Sequence, residues 1–469
     1  MKVRLKLKAW ELSKKLITEA KPILQSKEDL VWTEDKVDLG NLEIQEQRDR
    51  WYTHVPGSRA PDMVLIGAVQ ATENKGYDVT EAEKLIPAIQ AAYDAKDDVN
   101  FLKLVAKLYH LLGTAPKNEQ HSYWSFNYYN NFEDVTKEVA FPPRKVVNLS
   151  DQQLFDKLHA GWLAQIAGAA IGTILEGYTA DNIKEAFGEV RDYLREPSTF
   201  NDDILFELAF LEAILAKGKE VTSEDIGLEW VGRIIYFWTA EEVAYKNLKR
   251  GIMPPMSAEL NNPWNEWIGA QMRGSVCGLV APGDPELAAR LAWTDGTVSH
   301  INNGVLGEMF NAVLTSLSFT ETDVRELLKK TIELMPQKSE YYSVIEFAYN
   351  ACLTNETWLG AWKLCEKQFE RYNWIHTYPN AAAQVVALYY GENSFDECMY
   401  VIAMCGQDVD CNAGQIGTVY GIMFGKEAID KKWTDPFNDQ FESLCRGYEK
   451  TTISAIARRT LEALKKLNS

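Results

Sequence analysis

Apolar residues recur at three- and four-residue spacing along most of the chain, and long alternation of apolar with polar positions is absent. That periodicity predicts helices and an all-α protein. Within residues 1–113, "KLIPAIQAAYDA" and "NFLKLVAKLYHLL" show it clearly. Residues 114–149 break it: they are rich in aromatics, asparagine and proline, and read as an extended connector on the surface of the next domain. From Ser150 the helical pattern returns with recognisable starts. "SDQQ" at 150–153 has the capping-box form, "SFDE" at 394–397 and "TETD" at 320–323 are similar, and "GDPELAARLAW" offers Asp284 as cap with Pro285 in the first turn. Two parts are expected: an N-terminal helical accessory lobe with its connector (1–149) and a larger helical domain (150–469).

Composition narrows the function more than the fold. The net charge of −18 disfavours nucleic acid and anionic membranes as partners, because phosphates are repelled. No run of about 18 apolar residues marks a membrane span, and the basic start "MKVRLKLKAWELSKKL" lacks the apolar stretch of a signal peptide. Seven cysteines, all after residue 270 and without a C-x-x-C pair, read as reduced thiols in a cytoplasmic protein.

Small residues form two stripes. Ala164, Gly168 and Gly172 recur every four residues, as do Gly417, Gly421 and Gly425. Residues at i, i+4 share a helix face, so each stripe lets another backbone come close. Glycine inside a helix costs about 1 kcal/mol relative to alanine, so the repetition points to tight packing.

Two acid pairs lie beside predicted helix starts: Asn201, Asp202 and Asp203 in "FNDDILFELAFLEAI", and Asp408 and Asp410 in "GQDVDCNAGQIG". One aspartate at such a place is an ordinary N-cap. Four carboxylates with an amide oxygen also make a hard-oxygen shell that suits Mg2+ or Mn2+ better than zinc, since no His/Cys cluster accompanies them.

Three segments in order resemble the ADP-ribosylglycohydrolase family: "AGAAIGTILEG" (167–177), "NDD" (201–203) and "GQDVDCNAGQIGTVYG" (406–421). Between them, "GAQMRGSVCGLVAPGDPELAARLAWTDGTVSH" (269–300) is similar to the family's loop and helix with a substrate-side histidine. The resemblance implies a compact multi-helix bundle with two Mg2+ ions, Mn2+ also being suitable. It implies metal ligands Asn201, Asp202, Asp203, Asp408, Asp410 and Cys411, with Glu176 and Asp203 at the catalytic centre and Gly269 in the substrate-side loop. Of the other substrate-side candidates, Arg273 suits a phosphate or an acid partner, His300 a substrate contact or a satisfied buried place, and Asn303 a pocket or a cap. Ala169 stands where the family has an aspartate, and Asn201 and Cys411 stand at threonine positions. Sulfur is a poor magnesium ligand. The implied reaction is hydrolysis of an N- or O-glycosidic ribosyl bond, in an ADP-ribosylated protein or a small ADP-ribosyl or nucleoside-like compound. A two-metal phosphohydrolase and a non-catalytic nucleotide binder remain open readings. Glu308, His376 and Asn380 are polar residues in apolar helices, suited to a pocket or to capping. Trp264, Trp267, Trp293 and Trp374 suit base stacking or, more commonly, core packing.

Overall fold

A computed structural model describes residues 8–24 and 34–468. The basic start at residues 1–7 lies outside the described residues. The chain divides into two units, Met1–Asp49 and Arg50–Ser469. The first holds helix Ala9–Glu19 and most of helix Glu34–Trp51. The second is a bundle of helices joined by short two-stranded ladders, as the all-α expectation requires. Among the described residues no helix is long and apolar enough to cross a membrane.

Six helices organise the larger unit: α1 (Asp151–Gly172), α2 (Asp203–Lys217), α3 (Asn302–Ser318), α4 (Thr377–Gly391), α5 (Val409–Phe424) and α6 (Ile453–Asn468). Every residue of α3 is buried, so it is an interior helix with neighbours all round. In α6, Ile453, Ile456, Ala457, Thr460, Ala463, Leu464 and Leu467 form one buried stripe, the mark of a surface helix.

The caps follow the sequence in most places. The Gln153 N–H donates to Ser150 Oγ at 3.3 Å, and Gln153 Oε1 accepts from the Ser150 N–H at 2.9 Å, closing the capping box of α1. Ser394 and Asp284 cap their helices as expected. "TETD" differs: the helix begins at Val324, and Asp323, not Thr320, is the cap that accepts from Glu326 N.

The two small-residue stripes face each other. An added Cβ on Gly168 would lie 2.2 Å from Ala413 O, on Gly417 2.7 Å from Ala164 O, and on Gly421 2.2 Å from Ala160 O. Backbone meets backbone along α1 and α5, so no side chain fits between them. Gly425 is not part of this stripe. It follows the end of α5 at φ +79°, the left-handed stop that glycine supplies at a helix C-terminus.

Residues 50–149 belong to the larger unit, with Trp51, Phe101 and Leu108 in the same core as α1 to α6. The segment 114–149 is mostly irregular, with a tight turn at Ser122–Ser125 and a short helix at Phe132–Thr136. It is no mere surface strap: Tyr123 is buried and its hydroxyl donates to Glu266 Oε1 at 2.9 Å.

Candidate metal centre

The chain leaves α1 through a turn that carries Glu176, then forms the strand Tyr178–Thr179. That strand pairs antiparallel with Gly406–Gln407, Tyr178 opposite Gln407 and Thr179 opposite Gly406. Gly177 N–H donates to Gln407 O at 3.0 Å, extending the tie. Gly406 has φ +72°, and a Cβ there would lie 2.1 Å from Tyr178 O, so this crossing requires glycine. The end of α1 meets the start of α5 as closely: a Cβ on Gly172 would fall 2.1 Å from Asp410 N. These contacts set Glu176 beside Asp408 and Asp410.

Two polar pins fix the helix starts. Asn380 of α4 accepts through Oδ1 from Asp408 N–H at 3.0 Å and from Asn412 Nδ2 at 2.7 Å. On α2, one turn after Asp203, Glu207 accepts from Gln165 of α1 at 2.7 Å and Gln415 of α5 at 3.1 Å. Three helices thus share one buried carboxylate behind the acid pairs, with a pKa pushed up to about 8 by burial.

The acids do not cap. Asp202 and Asp408 occupy N-cap positions, yet neither side chain accepts a capping hydrogen bond. They meet other acids instead. Asn201 Nδ2 donates to Asp410 Oδ2 at 3.1 Å, and the Cys411 thiol donates to Asp203 Oδ1 at 3.2 Å. Asp408, Asp410 and Cys411 each offer a ligand atom within 4.8 Å of the others. Burial, and after it the charge of Asp410, raises Glu176, Asp203 and Asp408 well above ordinary carboxyl values, and raises Asp202 from 3.8 to about 6. Two buried oxygens here, Asp410 Oδ1 and Asn201 Oδ1, have no hydrogen-bond partner. Crowded carboxylates with orphaned oxygens fit a divalent cation, which relieves the repulsion and satisfies the lone pairs.

The other sequence candidates are engaged with other partners. Arg273 is buried, and its donors are spent on the protein: Nε on Asp295, Nη1 on Glu241 at 3.2 Å and on Gly269 O at 2.6 Å, Nη2 on Ser299 Oγ at 3.1 Å. Gly269 packs against this knot, with no room for a Cβ beside Glu241 Oε1. His300 is fully buried, its Nδ1 on Ser299 Oγ at 2.8 Å and its Nε2 unpartnered. Asn303 donates through Nδ2 to Glu266 at 3.2 Å and accepts from Tyr341 N–H at 3.1 Å. Glu308 lies 3.9 Å from Arg273 Nη2, while His376 caps α4 by accepting from Tyr378 N–H. Trp264, Trp267 and Trp293 are core residues; Trp374 is half-buried, beside Gly177.

Some neighbours of the acids carried no sequence signal. Tyr236, 38% exposed, has its hydroxyl pKa raised by burial and then by the charges of Asp202 and Glu176. Met272 Sδ lies 3.9 Å from Cys411 Sγ. Glu207, four residues after Asp203 on one helix face, was visible by spacing alone.

Residues 150–467 match the sequence profile of the ADP-ribosylglycohydrolases. No curated protein matches the chain. Among solved structures, an "ADP-ribosylglycohydrolase-related protein complex" aligns over 67% of this chain and 99% of that chain, at 17% identity and a TM-score of 0.45, too loose a likeness to carry function.

Proposed function

The chain belongs to the ADP-ribosylglycohydrolase family, and from that premise we propose that it hydrolyses the glycosidic bond at the ribose C1 of an ADP-ribosyl or nucleoside-like compound, with divalent ions held by Asp202, Asp203, Asp408 and Asp410. One observation carries this reading. Five carboxylates, those four and Glu176, come together from three segments, and the strongest charge acting on each of Glu176, Asp202, Asp203 and Asp408 is that of Asp410. A protein that gathers uncompensated acids in a buried space needs a cation from outside.

When bound, such ions supply Lewis acidity, a grip on vicinal ribose hydroxyls and a more acidic water; the carboxylate oxygens suit a hard divalent ion. The chain's own groups do the rest. Glu176, half-buried beside Asp410, is suited to orient a water and take up its proton at the carboxylate. Asn201 holds Asp410 in place through its amide. Tyr236, partly open to solvent near Asp202 and Glu176, is suited to contact the ribosyl group. Charge building at C1 as the bond breaks is met by a strongly acidic surrounding. Seven free, buried thiols support a reducing, cytoplasmic setting.

The test is release of free ribosyl product from a panel of ADP-ribose and nucleoside derivatives, with magnesium and with chelator. Metal-dependent release from at least one ribosyl compound is expected. No product from any of them, together with a melting curve indifferent to divalent ions, would overturn the reading.

A further inference from the structure

Sulfur sits inside the acid cluster rather than beside it. The Cys411 thiol is 3.2 Å from Asp203 Oδ1, and its Sγ lies within 4.8 Å of ligand atoms of both Asp408 and Asp410. A second soft atom, Met272 Sδ, is 3.9 Å from Cys411 Sγ. On the oxygen side, Asp410 Oδ1 has no partner in a residue only 4% exposed. This corner therefore offers sulfur together with carboxylate oxygen. Magnesium takes oxygen ligands and gains little from sulfur, whereas zinc and cobalt accept thiolate and carboxylate together.

We propose that the corner formed by Asp408, Asp410 and Cys411 selects a borderline, thiophilic divalent ion such as Zn2+ or Co2+ over Mg2+. The inference rests on the metal-centre reading above and adds to it the identity of one ion. Cys411 acts as a ligand here, beyond its contact with Asp203.

Cobalt is the probe, because sulfur ligation gives a charge-transfer band that oxygen ligation lacks. Full-length protein is titrated with Co2+ and, separately, with Mg2+, following absorption and direct binding; Cys411→Thr, Cys411→Ser and Asp410→Asn are run alongside. In the wild type a sulfur-to-cobalt band is expected with the first equivalents. Cys411→Thr and Cys411→Ser should abolish the band and lower the Co2+/Mg2+ affinity ratio by about 10–100-fold, the scale on which metal-site partners act. Asp410→Asn should weaken the band, locating it at this corner. The other six cysteines remain in both Cys411 variants, so a band that persists there overturns the proposal. Cobalt binding with no band in the wild type also overturns it while leaving the hydrolase reading intact. Absence of binding by any divalent ion overturns both. If one Cys411 variant fails to fold, the other still assigns the band.

Discussion

Two buried acid clusters lie close together in this molecule and differ in one respect. Around Arg273, the carboxylates of Glu241, Asp295 and Glu308 converge with their cation in the middle, and the guanidinium also stacks 4.8 Å from Trp230. Around Asp410, five carboxylates and a thiol converge, and among the described residues no Lys or Arg is ion-paired with them. Burial raises carboxyl pKa values in both, to about 7 at Glu241 and well above the ordinary range at Glu308. Buried acids alone therefore do not mark a metal centre. The first cluster holds its own cation; the second, on the proposed reading, takes one from outside.

The largest expected effect tests the second cluster's chemistry. Glu176→Gln should lower turnover about 10²–10⁴-fold, the usual contribution of a positioned acid–base group, while metal affinity measured by calorimetry stays near wild type. Unchanged turnover would remove Glu176 from the mechanism. Arg273→Met tests the first cluster. Taking the cation from buried partners typically costs 3–5 kcal/mol, so denaturant unfolding should show a loss of about that size, equal with and without metal. A loss that metal restores would erase the distinction between the clusters.

Next comes the bound ion's own contribution. At a free metal concentration of about 100 times Kd, binding should add about 2.7 kcal/mol to stability, and Asp408→Asn should remove most of that gain while Asp295→Asn leaves it. In chelator the folded Asp202 keeps its proton up to about 6 against an ordinary 3.8, so folding takes up protons across that window. Its share of stability is present at low pH and lost as pH rises through about 6. A melting series in chelator should show this decline and Asp202→Asn should blunt it. The smallest effect concerns the floor beneath the acids. Gly168→Ala forces a methyl against Ala413 O, and overpacking of this kind costs roughly 1–3 kcal/mol. It should lower the melting temperature with or without metal, and weaken metal binding only if α5 shifts.

Much of the second cluster was legible because its signals are local. Paired aspartates beside helix starts and small residues at i, i+4 are read without knowing the fold, and they converge as α1, α2 and α5 pack. The first cluster was not legible. Arg273 and His300 are single polar residues in apolar sequence, and such a residue looks the same whether it lines a pocket or closes a buried knot. Segment 114–149 hid its inward contact for a related reason: it lacks periodicity, yet its Tyr123 hydroxyl donates to Glu266 inside the core. Gly425 continued a period past the point where α5 ends. Contacts across hundreds of residues, such as Tyr178 with Gln407, leave no trace in either partner's local pattern.

That last pairing also sets an order of events during synthesis. Glu176, Asp202 and Asp203 leave the ribosome long before Gly406, and until Gly406–Gln407 arrives to pair with Tyr178–Thr179 the acids are only half assembled. Closing so long a loop comes late, since its entropy must be overcome before the contact forms. A nascent chain ending before this ladder has no complete cage, and an ion that binds only the finished arrangement stabilises nothing earlier. On the proposed reading, metal uptake during refolding should therefore report the docking of α5 on α1, a step no earlier than the pairing of Gly406–Gln407.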